Sequence, residues 1–500
     1  MKTTPRIAIV GAGPAGLTCA RVLQIHGIEA TVYDADASVD ARDPGGTLDL
    51  HADSGQIALE DAGLMDAFTE LARPEGQANS RLDQHGAVLD SFVPDQDDIA
   101  APEIDRGQLR AMLAAHVAPG TVRWGHKLIA ASPLGEGRHR LDFAGGAHAE
   151  VDLVVGADGA WSRVRPLLSP AQPQYSGVSF LDVRFEDVDR RHPGIAKLVG
   201  DGHMFANDGD GRAIIGQRNS NGHVRGYVAM RIDLDWHATA GVDLDDAASV
   251  RRFLLAEFSG WAEQMLPFVT DNDGDYVNRP VHALPAPLTW EHTPGVTLLG
   301  DAAHLMAPFG GFGANLAMLD AAELARAIAE EPTLDAAVTR YEADMLPRSG
   351  RHAVGANDAL TGFFAPGAFD PADAPDHAAE HQRYQEAAAA YRRRQNPRAR
   401  QQEPAPSADG TWTVTFRTPR GQQHAALVLN ADATTLTGTF DGVPIEDGRV
   451  DGTEIGFTAA LTSPFTMKVT FTVSIDGDTM TGKAKAPMMT LGIKGTRTAG

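Results

Sequence analysis

Three glycines in the run GAGPAG, Gly11, Gly13 and Gly16, have the spacing that brings a backbone against a pyrophosphate. Gly11 suits a tight turn, Gly13 lets the phosphates approach, and Gly16 allows a following helix to pack on the preceding strand. Pro14 and Ala15 open that helix, whose free N–H groups and positive dipole end favour an anion. Asp34, eighteen residues after Gly16, is placed to accept from ribose hydroxyls. An acid there argues against a 2′-phosphate, so this motif leaves FAD or NAD open. Far downstream, GDAAHLMAPFGGFGAN (Gly300 to Asn315) is again glycine-rich, carries the acid Asp301 and runs into a helical pattern.

The elements that must position these residues follow from periodicity. RIAIV, LTCARVLQIHG and EATVYD read as strand, helix and strand, the βαβ unit of a parallel sheet. VDLVVGADGAWSRVRPLL, from Val151, reads as another buried strand feeding a glycine turn, and RGQLRAMLAAHV as a helix. The spacing predicts a helix over SGQIALEDAGLMDAFTEL with Ser54 as its cap, and another over AASVRRFLLAEFSGWAEQML. Residues 175 to 235 alternate polar and apolar positions, as antiparallel strands with one covered face do. Helices are expected from Gly313 to Glu331, over TLDAAVTRYEADMLPRSGRHAVGANDAL and over HAAEHQRYQEAAAAYRRRQ. Beyond Gly410 short strands alternate with Asp-Gly pairs at Asp441, Asp447, Asp451 and Asp476, read as hairpin turns.

The fold class is therefore α/β: a Rossmann-like dinucleotide domain interrupted by an antiparallel sheet, long C-terminal helices, and an appended all-β barrel-like domain. The expected nucleotide domain comprises residues 1–75, 101–172 and 295–345, and the expected substrate domain residues 76–100 and 173–294. C-terminal helices over 346–395, a linker over 396–409 and the barrel over 410–500 complete the chain.

With 500 residues and a net charge of −23, the chain lacks the clustered cations that nucleic acid or an anionic membrane requires. Small molecules and proteins remain as partners, with homo-oligomerisation left open. Its one cysteine, Cys19, excludes an internal disulfide framework and is expected to be a small buried side chain. No run of 18 apolar residues and no signal-peptide pattern occurs, so a cytoplasmic location is expected. HExxH, CxxC, P-loop and GxSxG patterns are absent, so a metal is not expected.

Together GAGPAG, GADGAWSRVR (Asp158, Gly159, Ser162, Arg165) and GDAAHLMAPFGGFGAN resemble the class A FAD-dependent aromatic hydroxylases, the para-hydroxybenzoate hydroxylase type. The resemblance covers about Arg6 to Gly355. GGTLDLHADSGQIALEDAGL (from Gly45) and PEIDRGQLR (from Pro102) are similar to the tetracycline-inactivating flavin monooxygenases. It implies FAD as cofactor, NADPH as reductant, and O2 activated as a flavin C4a-hydroperoxide that hydroxylates an aromatic or polycyclic small molecule. Baeyer–Villiger insertion, halogenation and a non-catalytic flavin-binding role are the alternatives; halogenation is disfavoured because WxWxIP does not occur.

Residue by residue, the resemblance implies that Gly300 and Asp301 meet the ribityl chain, while Gly310, Gly311, Gly313, Ala314 and Asn315 lie along the flavin ring. Arg106 is expected at the pyrophosphate or ribityl chain, Asp49 by the flavin, Arg42 toward NADPH, and Asp158 in the fold with a transient NADPH contact. His304 is expected as scaffold under the flavin loop. Pro308 and Phe309 are pocket candidates, as are Asp182, His203 and Arg225 by alignment. None of these last three has the residue type that a tetracycline grip implies (Gln, Arg and His), so another aromatic substrate is expected. The barrel is expected to serve interaction or stabilisation.

Overall fold

The structure is a computed structural model that describes residues 5–41, 45–95, 97–367, 376–395, 408–418, 421–432, 435–451, 454–461, 467–476, 479–486 and 489–497. Arg42 falls outside these residues, as do Gly452 and Gly477 of two expected Asp-Gly turns. Two compact units result, Met1–Ala390 and Tyr391–Gly500.

In the first unit the apolar, β-branched runs pair as parallel strands. Their order is Val296–Leu298, Leu153–Gly156, Ile7–Val10, Ala30–Tyr33, Val122–Arg123. Burial on both faces explains the near-continuous apolar sequence of the central strands, and Ile9, Leu153 and Val296 are fully buried. The carboxyl ends of four adjacent strands then carry Gly11, Asp34, Ala157–Asp158 and Leu299–Asp301. All the motifs therefore meet at one sheet edge, where parallel α/β sheets bind ligands.

Seven strands form the second sheet, ordered Val277–Ala283, Gln174–Phe185, His223–Arg231, Arg212–Asn219, His203–Asn207, Asn79–Asp83, Val88–Phe92. The alternation sorts its faces. Leu181, Val183, Ile214, Met204 and Val228 pack with Trp236, Leu254 and Phe268 from the short helices beyond. The opposite face, carrying Phe180, Tyr227, Ile215 and Phe205, turns to the glycine loop at Ala307 and Phe309.

Two helix expectations are corrected. The segment from Ser54 forms Gly55–Asp61 and Met65–Thr69, broken at Gly63 (φ 65°), and the Ser54 hydroxyl donates to Asp53 instead of capping the helix. Ala247–Glu257 ends before Gly260 instead of running on to Leu266. The helix Leu334–Phe363 passes through Pro347 and is fastened to the parallel sheet, Tyr341 donating to the Leu298 carbonyl at 2.9 Å and Thr297 to Glu342 at 2.8 Å. An antiparallel meander at Leu128–Gly135, Arg138–Phe143 and His148–Val151 also lies between nucleotide-sheet strands. No helix of the described residues is long and apolar enough to cross a membrane.

The second unit holds a closed eight-stranded barrel running from Gly410–Thr418 to Met489–Arg497 in sequence order. Its interior is filled by Trp412, Phe440, Ile455, Phe457, Phe471 and Met480, with Phe457 and Phe471 stacked at 4.7 Å. Asp441 (φ 48°) and Gly442 (φ 77°) make the expected hairpin turn. Asp447 does not: it sits inside the strand Val443–Asp451 at a register shift between Glu446 and Arg449, because a positive-φ residue followed by glycine serves a bulge as well as a turn.

Candidate active site

Gly11 opens the first turn at φ 109°, donating from N to the Tyr33 carbonyl at 2.7 Å, and a Cβ there would lie 2.2 Å from the Ala157 oxygen. At Gly16 a Cβ would meet the Gly11 oxygen at 1.9 Å, whereas at Gly13 it would meet nothing within 4 Å. Two glycines therefore close the turn, and the third faces open space beside the N-terminus of the helix Pro14–Ile25. Asp34 is 8 % exposed and accepts from Ala12 N at 2.6 Å and Asp36 N at 2.8 Å. A carboxylate has about four acceptor positions, so capacity for further donors is left. Arg110 braces this arrangement, donating to the Ala12 carbonyl at 3.0 Å and to Asp36 at 2.8 Å.

The second glycine loop reaches the same place. A Cβ on Gly300 would lie 3.7 Å from the Ala15 Cβ, and Asp301 follows as the exposed first residue of the short helix Asp301–His304. Asp301 lies just past the strand Val296–Leu298, with Leu299 and the turn at Gly300 between. Gly311 (φ 67°) then starts the helix Phe312–Glu330, and Gly313 faces open space as Gly13 does.

Asn315, 1 % exposed, fixes the opposite wall. Its oxygen accepts from His51 N at 2.8 Å and Gly55 N at 3.1 Å, and its amide donates to the carbonyls of Asp49 at 2.6 Å and Gly311 at 2.9 Å. All four positions of the amide are used, so only the backbone of Asn315 is left for a ligand. Asp49 lies against Gly311, and His51 Nε2 is 3.0 Å from its carboxylate. His51 stacks on Tyr384 at 4.3 Å. Burial disfavours charge on both groups, but their mutual attraction outweighs it, holding Asp49 below the usual carboxylate range and His51 above the usual imidazole range.

Asp158 acts within its own loop. It accepts from the Ser162 hydroxyl and from Arg163 N, each at 2.6 Å, while burial still raises its carboxyl above the usual value. Arg165, 1 % exposed, donates to the Ala302 carbonyl at 3.0 Å and to the Ala160 carbonyl at 2.7 Å, which ties this loop to the second glycine loop. His304 is buried, its Nε2 2.6 Å from Asp320, which also accepts from Arg348 at 2.8 Å. Burial disfavours the Asp320 carboxylate, but these two partners hold its carboxyl below the ordinary range. His304 thus faces the helix below the loop, as a scaffold residue does.

Phe309 packs on Phe363 at 5.3 Å, and Phe363 on Phe364 at 5.1 Å, opposite Phe180 and Tyr227 of the sheet. Pro308 beside it is exposed. Polar residues line one row of that face, with Arg225 opposite Gln217 and Gln217 opposite His203. Asp182 is 3 % exposed and belongs to an internal clamp: Arg225 Nε donates to it at 2.8 Å and Arg279 at 2.7 Å. Neither Asp182 nor Arg225 is therefore a simple solvent-facing strand residue. Arg225 covers Gly45, and Gly46 lies against the Tyr227 hydroxyl, Gln217 and the exposed Arg106. His203 Nε2 is 3.0 Å from the buried Glu103.

A family profile described as FAD binding domain matches residues 4–248 and 289–352, more than half of the sequence. The chain belongs to this family. It is an FAD-dependent monooxygenase of the class A type. Monooxygenase penA of Penicillium thymicola is 31% identical over 401 residues, covering 69% of this chain and 92% of the relative. The aurachin C monooxygenase/isomerase of Stigmatella aurantiaca is 29% identical, covering 73% and 89%. HpxO of Klebsiella pneumoniae complexed with FAD and uric acid superposes with TM-score 0.62 at 20% identity, covering 78% and 94%. The tetracycline destructase Tet(55) superposes with TM-score 0.59 at 19% identity, covering 78% and 97%; these two likenesses show the fold alone. The open approaches at Gly13 and Gly313 suit a flavoprotein: the phosphates and the ring both need backbone without side chains, and those glycines provide it.

Reasoning from the sequence did not single out His51, Gln217, Tyr227, Tyr384 or Phe363. His51 had a local signal, two residues after Asp49. Tyr384 had none, because its helix pattern carries no mark of what it covers.

Proposed function

We propose that this monooxygenase uses NADPH as reductant and O2 as oxidant to hydroxylate an aromatic or polycyclic small molecule bearing an ionisable ring hydroxyl or ring N–H. The observation that carries the reading is the sheet face itself. Aromatic side chains from the sheet, from the glycine loop (Phe309) and from the end of the helix Leu334–Phe363 pack together on this face, and one row of polar residues lies beside them. An aromatic ring gains from burial among such groups, and the polar row fixes which edge faces which way. The names of several relatives support the class: 6-hydroxynicotinate 3-monooxygenase of Pseudomonas fluorescens and 3-amino-4-hydroxybenzoate 2-monooxygenase PtnB3 of Streptomyces platensis act on hydroxylated aromatic or aza-aromatic acids.

In this reading FAD, when bound, supplies the activation of O2 that lets one oxygen atom reach the substrate. The chain's residues do the rest. Gly13 and Ala15 present N–H groups to the pyrophosphate, Pro14 sets the first helical turn, Asp34 accepts from the adenosine ribose, and Asp301 and Arg106 hold the ribityl and phosphate region. Gly311, Gly313, Ala314 and Asn315 offer backbone to the ring, with Asp49 at its edge. NADPH is received by Arg42, with a transient contact at Asp158. Aromatic walls exclude water, which would otherwise waste the oxidant.

The test is to purify the protein, record its flavin, and follow NADPH oxidation with 6-hydroxynicotinate, 2,6-dihydroxypyridine and larger phenols. Stimulated oxidation with product gaining one oxygen atom is expected. A yellow protein whose NADPH oxidation no phenol accelerates would sink the reading.

A further inference from the structure

We propose that the cleft behind the second glycine loop holds one bound water, which bridges His304 Nδ1 and Ser349 Oγ and thereby helps to fix Gly300 and Asp301 where the cofactor is held. The inference does not depend on which substrate the aromatic face accepts, only on the place of this loop in the cofactor site.

Three segments wall the cleft. Leu284 and Leu288 come from the crossover that leads from the seven-stranded sheet back to the parallel one, Leu305 from the end of the short helix Asp301–His304, and Met345 and Ala353 from the helix Leu334–Phe363. The walls meet closely: Leu284 N donates to the Leu305 carbonyl at 2.9 Å, and a Cβ on Gly350 would lie 2.9 Å from the Pro287 Cβ. Between them is about 10 Å³ of space for the centre of a water molecule, close to what a single water needs. Of the lining residues only His304 and Ser349 carry side-chain nitrogen or oxygen. His304 is 5 % exposed and Ser349 1 %, and neither His304 Nδ1 nor Ser349 Oγ has a hydrogen-bond partner among the described residues. Buried polar atoms are rarely left so, and where protein groups do not serve them an internal water does.

The chemistry of the two atoms selects water over an ion. The Asp320 carboxylate accepts from His304 Nε2 at 2.6 Å, so the other ring nitrogen is an acceptor on the neutral ring and a donor on the charged one. The serine hydroxyl can be either. Water meets every one of these cases, whereas a halide only accepts and an ammonium only donates. The water also closes a ring. From His304 one route runs through Asp320 to Arg348 at 2.8 Å, and the other runs through the water to Ser349, the next residue of the same helix. Asp320 further accepts from Gly300 N at 3.4 Å, which joins the ring to the residue before Asp301. Held at both nitrogens, the imidazole keeps one orientation, and with it the short helix that Asp301 begins.

The experiment uses the full-length, flavin-loaded protein. A crystal structure should show a density peak within hydrogen-bond distance of both His304 Nδ1 and Ser349 Oγ, and a structure of Ser349→Val, whose added methyl takes up that space, should lack it. Melting temperatures read the sign of the interaction. Ser349→Ala should melt about 2 °C lower than wild type, because it removes one partner of the water, and it should release flavin faster on dilution. In a dry cleft the same change would relieve an unpartnered hydroxyl, so an unchanged or higher melting temperature overturns the proposal. A wild-type map with no peak between the two atoms overturns it as well. If Ser349→Val does not fold, the wild-type map and Ser349→Ala decide. Equal flavin release by wild type and Ser349→Ala, with the peak present, overturns the hold of the water on the loop.

Discussion

The carboxylate of Asp49 closes on the backbone of Gly311: a Cβ at position 311 would lie 2.2 Å from Oδ2 and 2.6 Å from Cγ. Gly311 also holds φ 67°, a left-handed conformation that costs an L-residue about 1–2 kcal/mol. Gly311→Ala therefore meets both strain and collision at the point where two distant segments join. We expect a lower melting temperature and a reduced flavin-to-protein ratio after gel filtration. A variant with wild-type flavin content would show that this approach does not shape the flavin site.

The Asp49–His51 pair gives stability a defined pH dependence. Asp49 is lowered, so its contribution is present above its unfolded value of about 4 and lost as pH falls. His51 is raised, so its contribution is present below its unfolded value of about 6.5 and lost as pH rises through the folded one. The stability gap between wild type and His51→Gln should be widest between those values and shrink above neutrality. Urea denaturation at several pH values measures it, and a gap that grows toward pH 9 would contradict the assignment.

Asn315 joins the helix Phe312–Glu330 to residues 49–55 through four hydrogen bonds, all from one buried amide. Asn315→Ala leaves two N–H groups and two carbonyls without these partners, a loss of about 2–4 kcal/mol. Asn315→Asp keeps the acceptors, loses both donations and buries a charge, so it should not rescue. Thermal unfolding of both variants tests this, and recovery in Asn315→Asp would count against the amide's role as a donor.

How far these features could be read from the sequence follows from their range. Gly11 and Gly16 were legible because a turn that brings 1.9–2.2 Å approaches to a Cβ tolerates no other residue, and the spacing records that demand. The alternation over 175–235 gave the sheet its faces. It could not say that Gln217 and His203 would share a row, since strand register depends on partners elsewhere in the chain. Asp447 misled because Asp-Gly serves bulges as well as hairpins. The stack of Tyr384 on His51 joins segments with no common pattern, and only the folded chain displays it.

Beneath the second glycine loop, Asp320 is fully buried and held by His304 at 2.6 Å and Arg348 at 2.8 Å. Arg348→Met removes the guanidinium partner and strands charge in the interior, at a cost of about 3–5 kcal/mol. Adding Asp320→Asn should recover part of it, because the stranded charge is what costs most. A double mutant no better than Arg348→Met would mean that lost packing of the arginine stem dominates. Thermal melts of the four proteins close the cycle.

Two truncations separate the barrel from the helix before it. The barrel has its own filled core, whereas the helix His377–Gln395 belongs largely to the first unit, which runs to Ala390. From that helix Tyr384 covers His51, His381 Nδ1 meets Asp98 at 2.6 Å and His377 Nε2 meets Asn79 at 3.0 Å. A chain ending at 395 should keep its flavin and the melting temperature of the first unit. A chain ending at 367 loses all three contacts and uncovers the His51 wall, a loss of about 2–4 kcal/mol. It should melt lower and release flavin more readily in dilute solution. Equal flavin retention in both would show that the helix only leads to the barrel, and that the stack on His51 contributes nothing to holding the flavin site closed.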